Sequence, residues 1–299
     1  MLLNNIMDSI GNTPVVELKS YARPGIKVYA KLEGNNPGGS IKDRTAKYLI
    51  EAAEREGHLT DSRIILEATS GNTGIALAMI AAIKGYKFTA VVPESASIER
   101  IKLLKAYGAE VVLTDGAKGT NGAIDVARKM LEDDDRYYMP DQFSNPANPQ
   151  AHFETTAKEI IEDVPNITAF VAGIGTGGTL TGAGRRLKSF NSGIDIIGVE
   201  PLPQTRIEGL RNMEKYKPPI YDDSIINYKL SASDYEALRL ARELYVKEGL
   251  TAGISCGAAL WGTLQYSRRL ESGNIVVIFP DRGDKYFSTK LFDLNKETA

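Results

Sequence analysis

The sequence has very few of the residues that bind metals or form covalent cross-links. Its 299 residues include one cysteine, Cys256, and two histidines, His58 and His152. A single cysteine cannot form an intrachain disulfide, and the three residues together are too few for a zinc site of the usual Cys/His spacing. If the protein is an enzyme, we therefore expect an organic cofactor to supply the chemistry that its side chains cannot.

The sequence also lacks long apolar runs and an excess of charge of one sign. No apolar run approaches the roughly 20 residues of a membrane helix, and residues 1–14 do not have the pattern of a signal peptide. The 36 Lys and Arg residues are balanced by 38 Asp and Glu residues, so no basic surface for nucleic acid is indicated. We therefore expect a cytoplasmic protein that binds small molecules and neither nucleic acid nor membranes.

Short apolar segments alternate with helical patterns along the whole chain. Predicted helices at 75–85, 97–108 and 232–249 separate predicted strands at 64–68, 88–93, 109–115, 167–175, 195–201 and 274–281. This alternation predicts an α/β fold with parallel sheets built from βαβ units. The Pro- and Asn-rich segment 141–150 is the predicted crossover between two lobes.

Two glycine-rich turns follow predicted strands and open predicted helices. "GTGGT" (175–179) offers backbone N–H groups at a helix N-terminus and two threonine hydroxyls, which suits a phosphate. "TSGNTG" (69–74) is rich in short donors and suits a carboxylate. By itself, the first could be a plain strand–helix turn and the second an N-cap box. We expect both turns, and also residues 255–257, to lie at the carboxyl ends of strands, where ligands bind in such sheets.

Lys42 follows a Pro-Gly-Gly-Ser turn and opens a helix that we expect to begin near Ser40. Burial and the positive end of the helix dipole would lower its pKa and make it nucleophilic. The alternative is a solvated lysine in a first helical turn, but Gly38 and Gly39 leave room for a flat ligand. A reactive lysine, a phosphate turn and a carboxylate turn together predict a pyridoxal phosphate site.

The segments that carry this pattern resemble the cysteine synthase family of fold-type II pyridoxal phosphate enzymes, and most of all its B isozyme. They are "KLEGNNPGGSIKDR", "EATSGNTGIALAMIAAIKGY", "DQFSNPANP", "GTGGT", "GISCGAA" and "DRGDKYFST". The resemblance spans residues 10–288. It implies a fold like that of the tryptophan synthase β subunit, with two three-layer lobes and the site in the cleft between them. The smaller, mobile lobe would be residues 41–145, and the larger lobe residues 1–40 plus 146–299.

The resemblance also implies a role for each matching residue. Lys42 would form the Schiff base with the cofactor and act as the general base, Asn72 would lie beside the cofactor's 3′-oxygen, and Ser255 would face its pyridine nitrogen. The phosphate would be held by Gly175, Thr176, Gly177, Gly178 and Thr179, and the substrate carboxylate by Thr69, Ser70, Gly71, Thr73 and Gln142. Arg211 is predicted to recognise the phosphate of O-phosphoserine. Cys256, where relatives have Ser or Thr, is expected to be a small buried side chain.

The implied activity is β-replacement on O-acetyl-L-serine or O-phospho-L-serine by sulfide or thiosulfate, through a bound α-aminoacrylate, to give L-cysteine. A homodimer is also implied, and serine acetyltransferase or a sulfur-carrier protein are partners that the sequence does not identify. The alternatives are a cystathionine β-synthase-type enzyme, a serine/threonine dehydratase that stops at elimination, and a catalytically silent regulatory binder. A nicotinamide oxidoreductase is a more distant alternative.

Overall fold

The computed structural model describes residues 2–69, 71–214 and 216–293. Within these residues ten strands form two sheets. The strands are β1 (Val15–Glu17), β2 (Ile26–Leu32), β3 (Ile64–Ala68), β4 (Lys87–Pro93), β5 (Glu110–Thr114), β6 (Tyr137–Tyr138), β7 (Ala169–Gly173), β8 (Asp195–Pro201), β9 (Tyr228–Ala232) and β10 (Gly273–Phe279). The larger sheet has the order β1-β2-β10-β7-β8-β9, and the smaller one has the order β5-β4-β3-β6.

The described helices connect the strands and cover both sheets. They are α1 (Lys42–Arg55), α2 (Asn72–Lys84), α3 (Ile98–Ala106), α4 (Gly119–Asp133), α5 (Ala147–Ala151), α6 (Ala157–Asp163), α7 (Gly178–Phe190), α8 (Asp234–Glu248) and α9 (Ile254–Ser267). A π-helical turn, His152–Thr156, joins α5 to α6. Gly85 ends α2 with a φ of 80°, in the left-handed conformation expected of a terminating glycine.

Neighbouring strands run parallel in both sheets, apart from β1, which is antiparallel to β2. Strands such as β7 and β10 are apolar because helices cover both faces of the sheet. In the larger sheet, α8 and α9 pack on one face and α6 and α7 on the other. In the smaller sheet, α1, α2 and α3 lie on one face and α4 on the other. The predicted α/β fold with two parallel three-layer units is therefore confirmed.

The end of β3 and the end of β7 lead into the same cavity, which lies between the two sheets. The smaller sheet and the helices on it are built by residues 42–138. The predicted boundaries of a mobile lobe at 41 and 145 stay a prediction.

One local prediction is confirmed and another needs correction. Helix α1 begins at Lys42, near Ser40 as predicted, and the Ser40 hydroxyl accepts from the backbone N–H of Lys42 at 3.2 Å. Residues 255–257 do not lie at a strand end. They lie in the first turns of α9, which precedes β10 along the chain. Ser255 nevertheless reaches the cavity, because this end of α9 points toward it.

Candidate active site

One cavity of about 920 Å³ collects most of the residues that the sequence singled out. Those lining it are Lys42, Thr69, Gly71, Asn72, Thr73, Gln142, Gly175, Thr176, Gly177, Thr179, Arg211 and Ser255. Gly178 lies just behind them as the buried first residue of α7. Ser70, predicted to bind the substrate carboxylate, lies outside the described residues. The predicted site is thus brought together in space, although its residues span more than 200 positions of the chain.

Lys42 is the first residue of α1 and projects into the cavity. The backbone N–H of Ile41 donates to the Pro280 carbonyl at 2.8 Å, which ties the helix start to the segment after β10. Loss of solvent lowers the pKa of Lys42 to about 8, although the carboxylates of Asp281 and Glu33 act in the opposite direction. The neutral fraction of the amine near physiological pH is therefore much larger than that of a lysine with its ordinary pKa, and the neutral form is the one that a nucleophile or a general base requires.

The turn between β7 and α7 has three positions, 175, 177 and 178, at which only glycine fits. Gly177 has a φ of 85°, which favours glycine. A Cβ on Gly178 would lie 2.1 Å from Oδ1 of Asn148, and one on Gly175 would lie 2.5 Å from the Gly209 carbonyl oxygen. The turn thus presents backbone amides at the start of a 13-residue helix. This geometry suits an anion such as a phosphate.

Two buried residues that the sequence did not indicate support this turn from behind. Nδ2 of Asn148 donates to the Thr176 hydroxyl at 3.1 Å and to the Gln142 carbonyl at 2.7 Å. The His152 ring lies 3.2 Å from the Thr45 hydroxyl, 3.0 Å from that of Thr156 and 3.4 Å from that of Thr179. Burial, and then the nearby cations of Lys42 and Arg44, hold the pKa of His152 well below its ordinary value. His152 is therefore a neutral structural support.

The turn between β3 and α2 is held by its own Thr69 and by contacts with other segments. The Thr69 hydroxyl accepts from the backbone N–H groups of Gly71 at 3.3 Å and Gly74 at 3.1 Å. The Thr73 hydroxyl donates to Oε1 of the buried Gln142 at 2.7 Å. Thr73 and Gln142 are thus already in contact, from two different segments, at the place where the resemblance puts the substrate carboxylate.

Asn72 is fixed at both ends of its side-chain amide by residues that the sequence reasoning missed. Its Nδ2 donates to Oδ2 of Asp281 at 2.7 Å, and its Oδ1 accepts from Nζ of Lys285 at 3.1 Å. Lys285 also donates to the Gly38 carbonyl at 2.8 Å, and Asp281 accepts from the Tyr286 hydroxyl at 2.6 Å. In the sequence, the segment "DRGDKY" marks the family but does not predict these contacts.

Ser255 and Cys256 are neighbours with different surroundings. Ser255 is 4% exposed and lines the cavity. The Cys256 thiol is buried and donates to the Asp281 carbonyl at 3.3 Å. Burial raises the pKa of Cys256, so the thiol stays protonated and is a buried structural group, as expected. Residues 253–257 also fit the G-x-S-x-G pattern of hydrolases, but Ser255 lies on a helix and not on a strand-to-helix elbow.

Arg211 lies at the rim of the cavity on the segment after β8. Its backbone N–H donates to the Ile174 carbonyl at 2.8 Å, and its guanidinium lies 4.5 Å from the Phe143 ring centroid and 5.7 Å from that of Tyr216. Loss of solvent lowers the pKa of Arg211. No carboxylate of the described residues forms an ion pair with it, so its charge is available to a ligand.

The comparisons with known proteins agree with this geometry. The family described as "Pyridoxal-phosphate dependent enzyme" matches residues 6–281. The cysteine synthase of Aquifex aeolicus is 44% identical over 299 residues, which cover 96% of this chain and 91% of that protein. Cysteine synthase B of Salmonella typhimurium is 42% identical, covering 97% of this chain and 96% of that protein. The solved O-acetylserine dependent cystathionine β-synthase from Helicobacter pylori superposes with a TM-score of 0.92 at 39% identity, covering 98% and 99% of the two chains.

Two mainly parallel sheets, with Lys42 and the glycine turn 175–179 in the wall of one cavity between them, together with the family match over residues 6–281, define a fold-type II pyridoxal phosphate enzyme. With the relatives above, the chain belongs to the cysteine synthase family. In the part of the chain that the structure describes, no helix is both long and apolar enough to cross a bilayer. The described residues likewise contain no group of three His, Cys, Asp or Glu side chains able to hold a metal ion.

Proposed function

We propose that this protein converts O-acetyl-L-serine and sulfide into L-cysteine and acetate, with pyridoxal phosphate as its cofactor. The observation that carries the proposal is the cavity in which Lys42, with its lowered pKa, faces the 175–179 turn while the Thr73–Gln142 pair lines another part of the wall. These three parts supply a base, an anion site and a carboxylate site within one enclosure. That combination is what replacement at the β-carbon of an amino acid needs.

The residues present fit pyridoxal phosphate. The 175–179 turn would hold its phosphate, because glycines leave the amides exposed and Thr176 and Thr179 add hydroxyls. Lys42 would hold its aldehyde carbon through Nζ, Asn72 would lie beside the ring oxygen, and Ser255 would face the ring nitrogen. When bound, the cofactor acts as an electron sink that stabilises negative charge at the substrate Cα.

The chain's own contribution to the chemistry centres on Lys42. As a neutral amine it takes the proton from Cα and, after the sulfur has been added at Cβ, returns the proton to the same carbon. Desolvation favours this role, because a lysine with its ordinary pKa would be protonated at pH 7. Ser255, which carries no charge, leaves the ring nitrogen without a proton donor as strong as a carboxylic acid. This favours elimination and replacement over transamination.

The substrate carboxylate is assigned to the 69–74 turn and Gln142. The N-terminus of α2 offers the amide of Asn72, and Gln142 offers its side-chain N–H group, which is oriented by the hydrogen bond from the Thr73 hydroxyl to Oε1 of Gln142. Thr69 and Gly71 complete the wall of this turn. These groups also orient the substrate so that its Cα hydrogen points at Lys42. Closure of residues 41–145 over the bound substrate, which we propose as the mobile lobe, would exclude water from the reacting centre. We propose the homodimer of the family as the working assembly.

The first experiment tests the reaction itself. The purified protein, loaded with pyridoxal phosphate, is given O-acetyl-L-serine and sulfide, and cysteine and acetate are measured. Equal amounts of the two products are expected, and Lys42→Ala should lower kcat by about a thousandfold or more because the base is lost. Lys47→Ala, a lysine on the same helix that does not line the cavity, is the control and should remain active. Pyruvate as the main product would instead indicate a dehydratase, and near wild-type turnover by Lys42→Ala would remove Lys42 from the mechanism.

The second experiment tests which activated serine is used. We propose that Arg211 allows O-phospho-L-serine to serve as well, because a guanidinium can make two charge-assisted hydrogen bonds to a phosphate. Arg211→Ala should cost about 2 kcal/mol on the phosphate ester, which is about thirtyfold in kcat/KM. The acetyl ester, which has no charge there, should lose much less. Equal losses for the two esters, or none, would exclude Arg211 from donor recognition.

A further inference from the structure

The buried ammonium of Lys285 has no part in the reaction proposed above, yet it lies next to the site. Lys285 belongs to the 3₁₀ turn Gly283–Tyr286, which follows β10, and it is 4% exposed. Loss of solvent lowers its pKa, while the carboxylates of Asp281, Asp43 and Asp284 act in the opposite direction. A buried cation is costly unless hydrogen bonds and nearby charges compensate it. The contacts of this ammonium therefore indicate its role.

The two hydrogen bonds of Lys285 connect segments that meet at the cavity. Its Nζ donates to the Gly38 carbonyl at 2.8 Å and to Oδ1 of Asn72 at 3.1 Å. Gly39 has a φ of 79°, and a Cβ there would lie 3.1 Å from the same Nζ. The turn before Lys42 thus closes around the ammonium, which is held in one position relative to Asn72.

The side-chain amide of Asn72 lies between two groups of opposite charge. Its Oδ1 accepts from the Lys285 ammonium, and its Nδ2 donates to Oδ2 of Asp281 at 2.7 Å. Asp281 is itself held by the Tyr286 hydroxyl at 2.6 Å. A half-turn of the amide would place its NH₂ group against the ammonium and its oxygen against the carboxylate, and both contacts would be repulsive. The amide is therefore locked in one orientation.

The locked orientation determines which group Asn72 offers to a ligand. Asn72 lines the cavity. Its oxygen is occupied by Lys285, whereas its NH₂ group carries two hydrogens, of which Asp281 takes one. The group left for a ligand is thus an N–H donor. Such a donor stabilises an anionic oxygen, which an amide oxygen would repel.

We propose that Lys285 is a positioning residue for the cofactor, because its hold on Oδ1 turns the second N–H of Asn72 toward the ring oxygen of pyridoxal phosphate. The inference rests on the cofactor placement proposed above and adds a residue that does not itself line the cavity. Without Lys285, Asn72 presents its oxygen or its NH₂ group to the ring oxygen. Recognition of the ring oxygen is then lost, while the phosphate turn is unchanged.

The experiment measures cofactor affinity by fluorescence titration of the apoprotein. Lys285→Met should raise the dissociation constant of pyridoxal phosphate about tenfold, because one hydrogen bond to a charged oxygen is lost. Lys285→Arg keeps a cation with N–H donors, so its dissociation constant should stay within about threefold of wild type. Lys102→Met, the same substitution at an exposed lysine of α3 that does not line the cavity, should leave the affinity unchanged.

A cofactor analogue separates positioning from general support of the fold. The deoxy analogue of pyridoxal phosphate, which lacks the ring hydroxyl, should bind equally well to wild type and to Lys285→Met. The ratio of the two dissociation constants within one variant cancels general damage. If Lys285→Met does not fold, Lys285→Gln, which has no charge and a side chain one atom shorter, takes its place in the same comparison. In an Asn72→Ala background, Lys285→Met should have little further effect, because the two residues act as a pair.

The outcomes distinguish this inference from the proposed function. Equal losses for the cofactor and its deoxy analogue would show that Lys285 only supports the fold, and the inference would be wrong. A full further loss in the Asn72→Ala background would also overturn it. In both cases, cysteine formation by wild type would leave the proposed function intact. If wild type binds the cofactor but makes no cysteine, the proposed function fails, and the affinity ratio still decides the role of Lys285.

Discussion

The two glycine turns that face each other across the cleft have the same local plan but differ in packing. Each follows a parallel strand and opens a helix. In the 175–179 turn, a Cβ on any of the three glycines would meet another atom at 2.1 to 2.6 Å. At Gly71, in the 69–74 turn, no atom of the described residues lies within 4 Å of such a Cβ. The 175–179 turn is thus tightly packed at all three of its glycines. The 69–74 turn has free space at Gly71, although a Cβ on Gly74 would lie 2.4 Å from the Thr69 side chain.

The supports of the two turns also differ. Behind the 175–179 turn lie the buried side chains of Asn148 and His152. The 69–74 turn is connected to other segments through its own side chains, because Asn72 binds Asp281 and Lys285 and Thr73 binds Gln142. A rigid surface suits a group that stays bound through many turnovers, while a turn with free space suits one that arrives and leaves. We therefore expect substitutions in the two turns to affect different steps.

The largest effect is expected for Lys42. It concerns the rate at which the apoprotein captures pyridoxal phosphate, and how this rate depends on pH. The neutral amine attacks the aldehyde, so the capture rate should rise about tenfold per pH unit below the pKa of Lys42 and level off above it. Because the pKa is lowered to about 8, the plateau should begin near pH 8, and the rate at pH 6 should be about a hundredfold lower. Stopped-flow absorbance measures this rate. A rise that continues without a break to pH 10 would mean that Lys42 is an ordinary solvated lysine.

A large effect is also expected in the rigid turn. Gly178→Ala forces a methyl group against Asn148, and such overpacking typically costs 1–3 kcal/mol. The affinity of the apoprotein for pyridoxal phosphate should fall about thirtyfold, measured by fluorescence titration. A dissociation constant within threefold of wild type would show that this turn has room to adjust, and the contrast between the turns would disappear.

A smaller effect is expected at the carboxylate side. Gln142→Ala removes one hydrogen bond to a charged group, which is worth about 1.5 kcal/mol, so kcat/KM for O-acetyl-L-serine should fall about tenfold. Cofactor affinity should not change. Gln150→Ala, the same substitution on the exposed side of α5, should change neither quantity. If Gln142→Ala weakens cofactor binding as much as substrate use, the division of labour between the two turns is wrong.

The smallest effect is expected for Gly71→Ala, which is the matched partner of Gly178→Ala. The added methyl group enters open space, so cofactor affinity should stay within twofold and kcat/KM within about threefold of wild type. The same pair of measurements serves for both variants. A loss at Gly71 as large as that at Gly178 would show that the free space is needed by the substrate.

The sequence predicted those parts of the fold whose pattern is local. The six predicted strands match β3, β4, β5, β7, β8 and β10, because each is an apolar run bounded by polar turns. Strand β2 was not predicted, since Lys27 and Lys31 interrupt its apolar residues. Lys31 is nevertheless fully buried, because it pairs with Glu159 at 2.9 Å and Asp163 at 3.2 Å. Both acidic partners lie more than 120 positions away along the chain, so the sequence around Lys31 does not reveal them.

The candidate site shows the same limit. Lys42 and the 175–179 turn line the cavity, and each directly follows a strand or opens a helix. Their positions at the site could therefore be predicted from the neighbouring sequence. Asn148 and Lys285 do not line the cavity and touch its wall through Thr176 and Asn72, and Asp281, which does line it, also holds Asn72. Their partners come from distant segments, so their roles become visible only when the chain is folded.

Asn148 has a consequence for how the two turns communicate. One amide group donates both to the Thr176 hydroxyl on the phosphate side and to the Gln142 carbonyl on the carboxylate side. If a phosphate and a carboxylate bind at these turns as proposed, a displacement of that amide would be shared between the two binding events, and we expect a free energy of coupling between them. Such a coupling is reciprocal. Whatever the bound phosphate does to the affinity for the amino acid, the amino acid does in equal measure to the affinity for the phosphate.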